Sequence, residues 1–115
     1  MQDHFNRLTP AEAERLAMLA EEAAEVIQVV GKILRHGYAS YHPDDLIPVA
    51  DGGKITKMPR MGALDNRALL MNELADFNAV QLLMEGSGDV FRTGDEIEHA
   101  MTRKLTYTHH QEPRS

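Results

Sequence analysis

The sequence predicts an all-α fold: a helical bundle with a long connection between two motif helices, completed by oligomerisation. Three observations lead there. Apolar residues recur at three-to-four spacing in three stretches, beginning near Thr9, Asp65 and Thr93. Stop and start signals bound these stretches. Between the first two lies a segment, Tyr38 to Asp65, rich in proline and glycine, which offers at most a short β-hairpin. Short helical domains of this kind often complete their cores by association.

The first helix opens at Thr9-Pro10-Ala11-Glu12. Thr9 suits the N-cap, Pro10 the first helical position and Glu12 the capping box. Leu16, Leu19, Ala20, Ala23, Ile27, Val30 and Leu34 fall within roughly 60° on a helical wheel and predict the core face. A second stripe runs Glu22, Val26, Val29, Ile33. Gly37 suits the C-terminal cap, and Lys32, Arg35 and His36 suit the negative end of the dipole. Gly31, inside the helix, suggests a close backbone approach. In the connection, Asp51-Gly52 between Val49 and Ile55 fits a hairpin. Lys54, Lys57 and Arg60 make this stretch basic, so it reads either as a solvated loop or as a lid meeting an anion. Met58 and Met61 would cap such a lid. The second helix runs from Asp65 to Glu85 and ends at Gly86 and Gly88. The third runs from Thr93–Glu96 toward Tyr107, and His109 to Ser115 reads as a flexible tail.

The chain has 115 residues, 18 acidic and 12 basic, for a net charge of −6. That length fits one domain, residues 1–115. At 43% hydrophobic and 26% charged, the chain is too apolar for a disordered one. The acidic balance argues against nucleic acid as a partner, because phosphate contacts need clustered Lys and Arg. Cysteine is absent, which excludes disulfides and thiol nucleophiles and agrees with a cytoplasmic location. No apolar run approaches a membrane span, and Met1-Gln2-Asp3-His4-Phe5 lacks the pattern of a secretory signal.

The acidic residues are oddly placed. On the first helix Glu22 heads the stripe Val26, Val29, Ile33, and Glu25 lies one turn along, close enough to aim at the same point. On the second, Glu73 falls in the middle of the apolar face made by Leu69, Leu70, Phe77, Val80, Leu83 and Met84, and Asp76 falls on its edge. Asn72 and Asn78 occupy the polar side. Ionised carboxylates in an apolar face are costly unless paired or metal-bound. An all-oxygen cluster suits a hard cation, Mg²⁺ with Mn²⁺ as a substitute. The plain alternative is a set of surface charges pairing with Lys32, Arg35 and Arg67.

The order Glu21-Glu22-Ala23-Ala24-Glu25, then Glu73-Leu74-Ala75-Asp76 on the next long helix, resembles the EExxE…ExxD signature of the MazG-like all-α nucleoside triphosphate pyrophosphohydrolases. Leu19-Ala20 before the first motif and Gly31 to Gly37 after it are similar to small phage and bacterial members. The likeness covers roughly Leu16 to Met84. It implies hydrolysis of a (deoxy)nucleoside triphosphate between the α and β phosphates, in control of nucleotide pools. It implies Glu22, Glu25, Glu73 and Asp76 as Mg²⁺ ligands, with Glu21 and Glu22 in catalysis through the attacking water. Lys32 and Arg35 would neutralise phosphate, and Asn66, Arg67 and Asn78 complete the candidate substrate-binding set. A homodimer or homotetramer is the implied assembly. Ala75 stands where the family often has glycine, and the gap between the motifs is long, so base preference does not carry over.

Two rivals remain. One is a non-catalytic helical dimer that regulates a partner protein through Val26, Val29 and Ile33. The other is a degenerate member that senses nucleotide without turnover. Glu96-Ile97-Glu98-His99 holds one half of a di-iron motif, and no second copy exists.

Overall fold

The computed structural model describes residues 5–111. Residues 1–4, and 112–115 of the expected tail, lie outside the described residues. The chain is mainly helical, with a small antiparallel sheet. In order the elements are α1 (Pro10–His36), a 3₁₀ turn (Pro43–Asp45), β1 (Leu46–Asp51), β2 (Lys54–Pro59), α2 (Asn66–Gly86) and α3 (Gly94–Thr106). They group into two compact units, Met1–Leu83 and Met84–Ser115. Among the described residues, no helix is long and apolar enough to cross a membrane.

In the first unit, α1 begins as its sequence predicts. Thr9 Oγ1 accepts from the Glu12 N–H at 3.1 Å, and Glu12 Oε1 accepts from the Thr9 N–H at 2.8 Å. The reciprocal pair satisfies two donors that a bare helix start would leave open. At the other end the Gly37 N–H donates to the Ile33 carbonyl at 2.7 Å.

The covered face of α1 departs from expectation. Val29 is buried, and Leu19, Glu22, Ala23, Glu25, Val26 and Ile33 are half-buried. Leu16, Val30, Ile27 and Leu34 are exposed, the last two at 70% and 82%. The predicted core face is therefore largely uncovered within this chain, and the stripe headed by Glu22 is the one covered. The physical reason is the position of α2, which approaches α1 on the Glu22 side and brings Glu73 to Glu22 and Glu25. Within this chain Val29 is buried on that side and Val26 and Ile33 are half-buried. Gly31 marks no backbone contact: a Cβ built there would meet only the far end of Arg35, at 3.5 Å.

The connection is partly ordered as a hairpin. β1 and β2 pair antiparallel from Leu46↔Pro59 to Asp51↔Lys54. Gly52 and Gly53 form the two-residue turn with φ of 57° and 86°. Two successive positive φ values match the right-handed strand twist and favour glycine at both positions. At the open end Arg60 Nε donates to Asp45 Oδ1 at 2.9 Å, and the Arg60 N–H donates to the Asp45 carbonyl at 2.8 Å. Met58 and Met61 are exposed, Met61 at 98%, so neither closes over a site.

Helix α2 starts where Asp65 Oδ1 accepts from the Ala68 N–H at 2.9 Å. Most of its expected apolar face is covered: Val80 is buried, Leu69, Leu70, Glu73 and Phe77 are half-buried, and Asn72 and Asn78 are exposed, but Leu83, expected beside Leu69, is exposed as well. The chain rises along α1 and returns along α2. Gly37 is bonded to Asn66 at one end, and Glu25 lies by Glu73 further along, so the two helices run antiparallel.

The second unit holds the end of α2 and all of α3. The Asp89 N–H donates to the Met84 carbonyl at 2.9 Å and the Gly88 N–H to Glu85 at 3.1 Å, a Schellman-type stop. Arg92 pairs with Glu85. Helix α3 opens on a second capping box: Thr93 Oγ1 accepts from the Glu96 N–H at 3.2 Å, and Glu96 Oε2 from the Thr93 N–H at 3.4 Å. Glu96 is thus a capping residue. His109–Gln111 follow the helix without regular structure.

Candidate metal centre

Three carboxylates converge on the covered side of the α1–α2 pair. Glu22, Glu25 and Glu73 each offer an oxygen, and these oxygens all lie within 4.8 Å of one another. The helical period places Glu22 and Glu25 one above the other, and the antiparallel return of α2 brings Glu73 against them. Ligands of an octahedral Mg²⁺ at about 2.1 Å sit roughly 3 Å apart when adjacent and about 4 Å when opposite. The triad needs only a small side-chain contraction to reach that spacing.

The electrostatics are unfavourable as they stand. Glu22 Oε2 and Glu73 Oε2 are buried and accept no hydrogen bond. Burial, then the charges of Glu25 and Asp76, push the Glu22 carboxyl above its ordinary range. The Glu73 carboxyl is also raised, first by its hydrogen bond to Glu25 and then by burial. The ion pairs Arg60–Asp45 and Arg92–Glu85 involve none of these carboxylates. The plain reading of ordinary charges paired with Lys32, Arg35 or Arg67 therefore finds no support in the observed pairs. Two orphaned, inward-facing oxygens on an all-carboxylate set fit a hard divalent cation.

The fourth expected ligand, Asp76, is exposed and outside the triad, although its charge reaches both Glu22 and Glu73. Glu21 is exposed one residue before Glu22 and adds the smallest share to the rise of the Glu22 carboxyl. Toward the end of α1 and the start of α2, a cleft of about 290 Å³ lies among Lys32, Arg35, His36, Tyr41, Asn66 and Leu69, with Ser40, His42 and Pro43 completing it.

Asn66 is 5% exposed. Its Nδ2 donates to the Gly37 carbonyl at 3.0 Å and its N–H to the Ser40 carbonyl at 2.9 Å. This side chain fastens the connection to α2. Arg67 places its guanidinium 4.6 Å from the centre of the Tyr38 ring, and its N–H donates to the Tyr38 carbonyl at 2.9 Å. Asn78 is exposed on α2 and outside the carboxylate group. Sequence reasoning gave His36 only a place at the helix end and passed over Ser40, Tyr41 and His42. The available signal was a run of hydrogen-bonding side chains directly after a predicted helix stop. The chain matches no protein-family model, no curated protein and no solved structure.

Proposed function

We propose that this protein is a Mg²⁺-dependent nucleoside triphosphate pyrophosphohydrolase, with Mn²⁺ as a possible substitute. The observation that carries the reading is the pair of buried, unpartnered oxygens of Glu22 and Glu73 beside Glu25. The resemblance of Glu21–Glu25 and Glu73–Asp76 to the MazG-like signature points the same way. Glu22, Glu25 and Glu73 would hold the cation, and Asp76 would join by a rotamer change. A bound divalent ion supplies neutralisation of phosphate charge and a more acidic water.

The side chains do the remaining work. Glu21, exposed beside Glu22, takes the proton from the attacking water. The water oxygen bonds to the α phosphorus, and the bond from that phosphorus to the α–β bridging oxygen breaks. The electron pair leaves with pyrophosphate, and the nucleoside monophosphate remains. Positioning and charge neutralisation suffice for such a step without a protein nucleophile. Lys32 and Arg35 supply positive charge on the same helix. In this reading the enzyme acts on cytoplasmic nucleotide pools, and neither nucleic acid nor a membrane is a partner.

The exposed face of Leu16, Ile27, Val30 and Leu34 supports assembly as a homodimer or homotetramer, in which copies of the α1–α2 pair complete a bundle. An uncovered apolar patch of this kind is unfavourable in water. The test is ³¹P analysis of products from a nucleotide panel with Mg²⁺. Pyrophosphate plus monophosphate is the expected outcome. Orthophosphate, or no turnover of any nucleotide, overturns the reading.

A further inference from the structure

Helix α3 carries an apolar stripe of its own. Ile97, Ala100, Met101 and Leu105 recur at three-to-four spacing and fall within about 140° on a helical wheel. No residue of α3 is buried, and Ile97 and Met101 are 48% and 39% exposed. With Lys104 these side chains line a shallow groove of about 420 Å³. The helix has 13 residues, a length at which helices are marginal unless one face is packed. Its unit is Met84–Ser115, and chains below about 40 residues generally need support beyond their own core.

The charges choose the occupant. Asp95, Glu96 and Glu98 occupy the first half of α3, and Arg103 and Lys104 the second. Two copies laid antiparallel put each acidic half against a basic half, whereas parallel copies put like on like. Glu96 and Arg103 are seven residues apart and so lie on the same edge of the stripe. A twofold axis across an antiparallel pair brings identical edges together, so Glu96 of each copy faces Arg103 of the other. Ala100, the smallest side chain of the stripe, falls beside that axis, where the two backbones come closest. The acid-to-base order also suits the dipole of a lone helix, but a lone helix gains nothing from an exposed apolar stripe.

We propose that α3 is a self-association face, which pairs antiparallel with α3 of a second copy of this chain about a twofold axis beside Ala100 and Met101. The contact is separate from the uncovered face of α1 and independent of the proposed reaction. A helix of 13 residues is about 20 Å long, so the pairing buries less than the roughly 800 Å² per partner of a standard interface. Where copies also meet through α1, it joins dimers into a tetramer.

The experiment uses the absence of cysteine: one introduced thiol per full chain is the sole site of disulfide linkage under mild oxidation. The linked Cα atoms must come within about 7 Å. Ala100→Cys and Met101→Cys, next to the axis, should each give covalent dimers on non-reducing gels. His99→Cys, on the opposite face of the helix, should link at least about tenfold more slowly. Ile97→Cys, about 10 Å along the helix from its own counterpart, should not link to itself but should link to Lys104→Cys when the two are mixed. Adding Ile27→Glu to Ala100→Cys opens the α1 face and should still give the linked dimer, which separates this contact from that one. Self-linkage of Ile97→Cys as fast as that of Ala100→Cys means parallel pairing. Equal linkage of His99→Cys means random collision. No linkage of Ala100→Cys or Met101→Cys, or its loss on adding Ile27→Glu, means that α3 does not pair with a second copy by itself. Each of these results overturns the proposal.

Discussion

Glu22 on α1 and Glu73 on α2 each turn one carboxylate oxygen, Oε2, into a buried place where no donor among the described residues reaches it. Both flank Glu25, with oxygens of all three residues inside 4.8 Å. Like charges this close repel, and burial together with that repulsion raises the carboxyl groups of Glu22 and Glu73.

The metal-free chain is therefore relieved by removing one charge. Glu73→Gln keeps the shape of the side chain and should raise the melting temperature in the presence of a chelator. The same substitution should abolish the stabilisation that Mg²⁺ gives the wild type. Paired thermal-denaturation curves, with chelator and with Mg²⁺, check both halves.

The pH dependence follows from the direction of the shifts. Folding raises these carboxyl groups, so the folded chain holds protons that the unfolded chain releases. Their stabilising contribution is complete below the ordinary glutamate range and is lost as pH rises through the raised values. Mg²⁺ needs the ionised form, so its effect has the opposite sign. The melting-temperature gain from Mg²⁺ should be small at pH 5 and larger at pH 8.

Turnover should separate the acidic residues. Glu22→Gln and Glu73→Gln remove members of the triad and should lower kcat by at least about 100-fold, the scale of several kcal/mol of charge stabilisation. Asp76→Asn, at an exposed position outside the triad, should cost less than either. Steady-state kinetics at saturating Mg²⁺ give the ranking.

Asn66→Ala leaves the Gly37 carbonyl without its side-chain donor and should destabilise the fold by about 1–3 kcal/mol. Chemical denaturation reads the change.

Ile27→Glu and Leu34→Glu test the uncovered face. Exposed substitutions normally change stability little. If copies of the chain cover this face, analytical ultracentrifugation should show each variant shifted to smaller species.

The helix starts were legible because caps are local: Thr9 with Glu12, and Thr93 with Glu96, need no distant partner. The hairpin was legible at Gly52 for the same reason. The covered face of α1 was not, because Leu16–Leu34 and Val26–Ile33 are both apolar stripes, and only the position of α2 selects between them. Glu73 stood out because its own helix puts it among Leu69, Phe77 and Val80. The cleft was hidden because it forms only when Gly37 and Ser40 fold back onto Asn66.

Titration with Mn²⁺, followed by the loss of its free-ion electron paramagnetic resonance signal, tests the metal centre most directly. The wild-type chain should bind Mn²⁺ in competition with Mg²⁺, and Glu22→Gln and Glu73→Gln should each lose that binding. Equal binding by all three proteins would contradict a metal centre built on these two carboxylates.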